Sequence, residues 1–331
     1  MQDKSRRYLR YSFLWMCLFF LNRGHLELNA QGINKEKLLI SILKETSIDS
    51  IQKSKLLLSK FYIKAGQLDS SKFYFQSIDS TKLKSPANKG LFKDVKGLIL
   101  FEEGNYQSAI KAFYQAIQFY QKDAKEGVSW QVLESQNNIG RTWITLNELE
   151  PAKKIYKEIF LSIQSIRPSQ IDSTILSRMY NNMGVIHFYE GELNEAFRYY
   201  DMSRTISTMS ASPNDINVGR ALYNMGLVKE EKGFLIDAGV LYQKALKIYL
   251  QNYGQYHHHI AEVYGSLGNI HLTRYEFQKA KYYFQKDLET SIHLYGEGHV
   301  ETTWGYENLG RLYHEEGNDS SAQRMFEKVL E

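Results

Sequence analysis

Six glycines recur at a nearly constant interval along this chain: Gly97, Gly140, Gly184, Gly226, Gly268 and Gly310, separated by 43, 44, 42, 42 and 42 residues. Glycine fills about 7% of positions in ordinary proteins, so six in one column is a coincidence of about one in ten million. Two more columns keep the same step. Twelve residues after each glycine stands an alanine (Ala109, Ala152, Ala196, Ala238, Ala280, Ala322), and sixteen after it an aromatic ring (Phe113, Tyr156, Tyr200, Tyr242, Phe284, Phe326). Seven after it comes a turn residue, Gly104, Asn147, Gly191, Gly233 or Gly317, with Tyr275 as the exception. Such a period describes one supersecondary unit that buries its apolar face only by stacking on copies of itself.

The columns predict a helix hairpin. Apolar residues four before, one before and two or three after each glycine, as in Leu222, Met225 and Val228 or Tyr264, Leu267 and Ile270, form one stripe on a helix. The glycine admits a second helix at close range, although it costs about 1 kcal/mol of helix propensity. The turn residue ends the first helix in a left-handed cap. The second helix carries the alanine where the two cross, and its aromatic is expected to fill the gap to the next pair. Only four prolines occur, and Pro151 falls in a first helical turn, where proline is tolerated. Some positions depart from the pattern. Lys93 and Lys96 interrupt the stripe of the first repeat, and Ser203 and Asp287 replace small apolar residues of the second helix.

These columns resemble the tetratricopeptide repeat over about residues 90–331. The usual period is 34 residues. The longer step here is similar to the kinesin-light-chain-like subclass, which is also common in exported bacterial proteins. The last two repeats carry the likeness best, each opening on Tyr-Gly-x-x-His (Tyr253, Gly254, His257; Tyr295, Gly296, His299). The resemblance implies an all-α, right-handed superhelical solenoid of antiparallel hairpins. The repeats are placed at about 90–132, 133–176, 177–218, 219–260, 261–302 and 303–331. A degenerate copy lies at 51–89, with Gly66 as turn residue, Phe75 as aromatic and Ser59 and Ser71 in the glycine and alanine columns. Residues 31–50 hold a capping helix. The length alone allows two domains; the repeat replaces that expectation with one array.

The resemblance also places a binding surface. In such arrays the first helix of each pair lines the concave side. Two before the glycine stand Asn138, Asn182, Asn224, Ser266 and Asn308. A carboxamide donates and accepts at once, so a row of them can hold a peptide backbone through its N–H and C=O groups. In kinesin-light-chain-like arrays such asparagines contact bound peptides, and the resemblance carries that role to Asn138, Asn182, Asn224 and Asn308. The alternative is that they bond to the neighbouring helix and fix repeat packing. Asn137 and Asn181 widen the polar stripe. Arg141, Arg178, Arg220 and Arg311 fall on the same face, where forked guanidinium–carboxylate pairing would favour an acidic segment or a free C-terminus. Glu134, Glu230, Glu231, Glu262 and Glu315 work against that preference. Phe188, Tyr189, Tyr223 and Trp304 add aromatic contacts or serve packing.

Catalytic patterns are missing from the sequence. It has no phosphate-binding glycine loop and no GxSxG elbow. His257-His258-His259 lacks the spacing of a metal site and reads as a solvated loop. No enzyme, cofactor or metal is expected. The formal charge of +4 has a local origin: Lys4, Arg6, Arg7, Arg10 and Arg23 oppose only Asp3 and Glu27, leaving a surplus of one on the rest. A nearly neutral array is a poor trap for phosphate backbone, so nucleic acid is not an expected partner.

The same N-terminal charges precede Tyr11–Leu21, an uncharged and mostly apolar run too short to span a bilayer core of about 20 residues. With Leu28-Asn29-Ala30 behind it, residues 1–30 read as a signal peptide cleaved near Ala30, the alternative being an uncleaved anchor. Cys17, the only cysteine, lies inside that run and not at a lipid-attachment position, so the exported chain would have no thiol. The expected function is a non-catalytic, periplasmic, envelope or secreted scaffold for a peptide or protein. The alternative is the sensory part of a larger protein with a protease, kinase or transcriptional output. Phe326, Val329 and Leu330 lack a covering element in the pattern, which allows self-association through the last repeat.

Overall fold

The computed structural model describes residues 47–64, 66–123, 129–164 and 173–330. The signal-peptide and Cys17 readings, and most of the capping-helix reading, lie outside them. The described residues form fourteen α-helices and no strand. In chain order these are α1 (Ile48–Lys64), α2 (Leu68–Gln76), α3 (Pro86–Glu102), α4 (Tyr106–Asp123), α5 (Trp130–Thr145), α6 (Leu149–Gln164), α7 (Ser173–Tyr189), α8 (Leu193–Ser210), α9 (Ile216–Glu231), α10 (Leu235–Tyr253), α11 (His258–Thr273), α12 (Phe277–Tyr295), α13 (Val300–Glu315) and α14 (Asp319–Leu330), with one 3-10 turn at Ser80–Lys82. The chain divides into two compact units between Ser135 and Gln136, inside α5. No described helix is long and apolar enough to cross a membrane.

Each hairpin turns through the same joint. Gly66, Gly104, Asn147, Gly191, Gly233, Tyr275 and Gly317 all have φ between 56° and 78°. At each, the left-handed residue donates its N–H to the carbonyl three back, and the next residue donates to the carbonyl five back, as in Gly233 N to Glu230 O and Phe234 N to Lys229 O, both 2.8 Å. This double bond pattern satisfies carbonyls that a helix end leaves open. Tyr275, which breaks the glycine pattern, adopts the same conformation at φ 56°. The joint is therefore imposed by the hairpin packing and only assisted by glycine.

The glycine column has a more specific partner than the sequence reading gave it. A Cβ added at Gly97, Gly140, Gly184, Gly226, Gly268 or Gly310 would stand within 2.7 Å of a ring carbon of Phe113, Tyr156, Tyr200, Tyr242, Phe284 or Phe326, respectively. The aromatic thus lies against the glycine of its own hairpin, and in the second unit it also packs on the following hairpin, Tyr200 with Met225 and Val228 and Phe284 with Leu309 and Leu312, so it fills the gap between the two as expected. Five of these six rings are at most 2% exposed. The alanine column is equally buried, between 0 and 4% exposed. In the degenerate hairpin, Ser59 and Ser71 occupy the two columns and meet at 3.0 Å, a polar contact in place of ring on glycine.

In the second unit, successive hairpins share a continuous core. Tyr242, Ala245, Ile248 and Tyr249 of α10 pack with Ile216, Val218 and Leu222 of α9 and with Ile260, Val263 and Leu267 of α11. Leu272, Ala280 and Phe284 join Leu309 and Leu312 of α13. In the first unit, Leu58, Tyr62 and Tyr74 close the α1–α2 hairpin, and Phe75 stacks on Phe92 at 4.8 Å. Lys96 is exposed and Lys93 half-buried, while Val95, Leu98 and Ile99 are buried, so the packing stripe of α3 is kept.

Candidate functional site

First helices of neighbouring hairpins meet directly in the second unit: α7 packs on α9 and α11 on α13. Their seam is polar. Asn182 on α7 donates through Nδ2 to Asn137 Oδ1 at 3.0 Å and to the Tyr156 hydroxyl at 2.8 Å. Asn224 on α9 repeats the move, donating to Asn181 Oδ1 at 2.9 Å. Tyr223 and Ser266 carry it to α11 at 3.3 Å. On α13, Asn308 donates to Asp287 of the preceding hairpin. Asn137 and Asn181, which the sequence only marked as widening the stripe, are the acceptors, and they are 3% and 5% exposed.

The amide row is thus held in a ladder between hairpins. Both N–H bonds of Asn182 are spent in it, while the Oδ1 atoms of Asn182 and Asn224 accept nothing from the described residues. Asn138, at 5% exposure, presents the least surface of the four. Asn308 also accepts a long bond from Arg311 at 3.4 Å.

The arginines stand in different surroundings. Arg141 and Arg178 lie close enough to the buried Tyr156 hydroxyl to oppose the rise in its pKa that burial causes. Arg220 acts on Tyr249, Tyr253, His257 and Glu262. Arg311 is exposed. Six before each glycine from Gly140 onward the column reads Glu134, Arg178, Arg220, Glu262, Trp304, so the charge on this face reverses between α9 and α11. Of the aromatic candidates, Trp304 and Tyr189 are exposed at 58% and 61%, whereas Tyr223 packs on Tyr242 at 5.3 Å.

A cleft of about 250 Å³ opens between α11 and α13, with α12 as its floor. Glu262, Asp287, Glu301, Asn269 and Trp304 line it. Asp287 is 8% exposed, and burial pushes its carboxyl up to about 7 despite hydrogen bonds from Asn308 and Ser291. The absent Cβ of Gly265 makes room, since one there would stand 3.2 Å from Asp287 Oδ2. Sequence reading marked Asp287 only as a misfit in a small-residue column; that misfit was the signal. Asn269 and Glu301 carried none.

His257 corrects the solvated-loop reading. Its ring stacks on Tyr253 at 3.5 Å, and its Nδ1 accepts the backbone N–H of His259, capping α11. Burial, followed by His258 and His259, pushes its pKa down to about 2, so the acceptor nitrogen stays unprotonated. His299 caps α13 the same way, taking Glu301 N at 3.1 Å. Among the described residues, one trio has metal-ligand proximity, His187, Glu190 and Glu192, but Lys153 is already ion-paired with Glu190 and His187 Nδ1 with Glu192.

The first unit has its own polar knot. Lys60 Nζ on α1 lies 2.9 Å from both Asp94 Oδ2 on α3 and Glu134 Oε2 on α5, and Ser135 Oγ donates to Asp94 Oδ1 at 3.0 Å. Burial disfavours the Lys60 charge, but the two carboxylates outweigh it and hold its pKa above the ordinary lysine value.

Comparison with known proteins agrees with this architecture. Two tetratricopeptide-repeat family models match, one over residues 217–291 and another over 94–123 and 305–331. The chain carries tetratricopeptide repeats. Its particular relatives in structure are BtubC (BKLC) from P. vanneervenii, 16% identical with a TM-score of 0.57 over 68% of this chain and 89% of that one, and NprR solved in complex with its cognate peptide NprX, 15% identical with a TM-score of 0.61 over 89% and 82%. A putative kinesin light chain of Podosopora anserina with nearly identical TPR-like repeats is 14% identical, TM-score 0.50, over 60% and 92%. At these identities the likeness is one of fold. No curated protein matches the sequence.

Proposed function

We propose that this protein is a non-catalytic scaffold that holds an extended polypeptide along the face formed by α7, α9, α11 and α13. The observation that carries this reading is the amide ladder. Asn182 and Asn224 are fixed by bonds to the preceding hairpin, at the repeat spacing, with their Oδ1 atoms left as acceptors. Acceptors immobilised before a ligand arrives lose little side-chain freedom on binding it. A backbone N–H of an extended chain is the matching donor, which makes recognition independent of side chains. Arg178 and Arg220 then supply selection for acidic residues over this part of the face, with Arg141 and Arg311 beyond it. A related fold, that of NprR, is known with a peptide bound.

The test is selection of displayed random peptides on the purified chain, followed by titration of the recovered peptides. The expected result is binding that falls about tenfold in an Asn182→Ala/Asn224→Ala double variant with unchanged helicity, and a loss of acidic peptides with Arg178→Glu/Arg220→Glu. Equal affinity in wild type and the amide variant overturns the reading. We also propose that residues 1–30 direct export and are removed near Ala30, on the strength of the Lys4–Arg10 charges and the Tyr11–Leu21 apolar run. Mass spectrometry of the mature N-terminus from a fractionated cell checks it, a full-length cytoplasmic chain being the contrary result.

A further inference from the structure

We propose that the cleft between α11 and α13 takes the guanidinium of an arginine side chain, with Asp287 as its counter-ion. This deepens the scaffold reading and rests on it in one respect: the arginine would arrive on the bound polypeptide.

The buried carboxylate of the cleft, Asp287, has no cation acting on it, whereas Glu262 on the wall is bonded to His259 at 2.9 Å and lies within reach of the Arg220 charge. Glu262, Asp287 and Glu301 line it, and neither lysine nor arginine does. His258, the remaining titratable wall residue apart from Tyr295, is exposed, and partial desolvation and the neighbouring His259 push its pKa down, so it is neutral at physiological pH. Asp287 is more than nine-tenths buried and has only the neutral donors Asn308 and Ser291. A carboxylate offers about four lone-pair positions, so two neutral bonds leave both charge and acceptor capacity uncompensated. A buried charge in that condition is costly until a cation reaches it.

A second feature points to a ligand with several donors. Asn269 is half-buried on the wall of the same cleft, and its Oδ1 has no hydrogen-bond donor and faces away from solvent, so a ligand donor reaches it only after the side chain rotates toward the cleft. Native structures seldom leave such an oxygen unsatisfied. At the mouth, the Trp304 indole is 58% exposed, on the face where other repeats carry arginine.

These demands select among cations. The carboxylates and His258 do not converge as metal ligands do, since among the described residues only the His187 trio brings three such atoms within 4.8 Å of one another. An organic cation with donors spread over a plane serves separated acceptors better than a point charge. A guanidinium has five N–H donors in a fixed fork and stacks on aromatic faces, whereas an ammonium is compact and strongly hydrated. The volume of about 250 Å³ suits one side chain and falls below the 300 Å³ or more typical of small-molecule sites. The opposite sign of Arg178 and Arg220 on the same face gives the polypeptide a direction: acidic residues toward α7 and α9, arginine toward α11 and α13.

The test uses single capped residues on the full chain. Nα-acetyl-arginine amide, its neutral isostere Nα-acetyl-citrulline amide, and Nα-acetyl-lysine amide are titrated while the Trp304 indole N–H resonance is followed by NMR, the signal being assigned by its loss in Trp304→Phe. A saturable shift with the arginine probe is expected, at least tenfold weaker with citrulline and several-fold weaker with lysine. Asp287→Asn should weaken the arginine probe at least tenfold. Asp287→Ala provides a second variant, because alanine stands at the equivalent position of the preceding repeat (Ala245) and suits the packing. Equal response to arginine and citrulline, or to arginine and lysine, or undiminished binding by both Asp287 variants, overturns the proposal. None of these results depends on the amide ladder, and the peptide selection above can fail while this titration succeeds.

Discussion

Replacing Asp287 by alanine should change the stability of this protein in a pH-dependent way, with the sign reversing across neutrality. The carboxyl rises from 3.8 to about 7 on folding, through burial first and then the neighbouring Glu262 and Glu301 charges, against the bonds from Asn308 and Ser291. A group whose acid form is favoured by the fold binds more protons in the native than in the unfolded state between these values, so its contribution declines as pH rises. At about 1.36 kcal/mol per pH unit, the whole excursion is worth about 4 kcal/mol. Removing the side chain also removes two hydrogen bonds, worth about 1 kcal/mol each at any pH. Near pH 4 the alanine variant should therefore be less stable than wild type by about 2 kcal/mol, and near pH 8 more stable by a similar amount. Urea denaturation followed by circular dichroism from pH 4 to 8.5 measures the difference directly. A difference independent of pH, or one growing in favour of wild type as the solution becomes alkaline, would refute the account of Asp287 as a buried carboxylate without a cation.

Other substitutions probe the remaining features. Gly226→Ala places a Cβ 2.5 Å from the Tyr242 ring, and that ring is tethered through its hydroxyl to Glu230 at 2.6 Å; a loss of about 1–3 kcal/mol is expected from overpacking. Gly239→Ala, with nothing within 4 Å of its Cβ, should instead gain up to about 1 kcal/mol, and thermal melts of the two variants decide between them. Lys60→Met leaves Asp94 and Glu134 buried together and should cost about 3–5 kcal/mol, read by urea denaturation at pH 7. His257 should contribute to acid lability: its folded pKa lies below the unfolded value of 6.5, so stability it lends above that pH drains away as pH falls. His257→Asn, which keeps a capping side chain, should flatten the acid limb of the stability curve below pH 6.5.

Much of the hairpin was legible because its rules are local. The glycine, alanine and aromatic columns sit at fixed offsets within one repeat, and a helix hairpin turns those offsets into contacts. The place of the aromatic between its own hairpin and the next follows from the same offsets, whereas its seat on its own glycine depends on a rotamer, which offsets do not give. Tyr275 shows the opposite limit, where tertiary packing holds a left-handed turn that residue preference argues against. The polar seam was half legible. The amide column was visible, but Asn182 reaches Asn137 across 45 residues, and no periodicity says whether an amide points to a neighbour or to a ligand. Lys60, Asp94 and Glu134 belong to three different helices and share no motif, so only coordinates bring them together. Asp287 was noticed as an oddity and gained meaning from Asn269 and Trp304 beside it.

The seating of each ring on the glycine of its own hairpin bears on how such a chain grows and shrinks. Because that contact closes within a single repeat, adding or excising a whole 42-residue segment between two turns, from one glycine of the column to the next, leaves every remaining ring with its seat. An insertion in the helices between a glycine and the ring sixteen residues on separates that pair, whereas one in the turn or between a ring and the next glycine does not, so lineages of this chain should differ in length by whole hairpins and at those places.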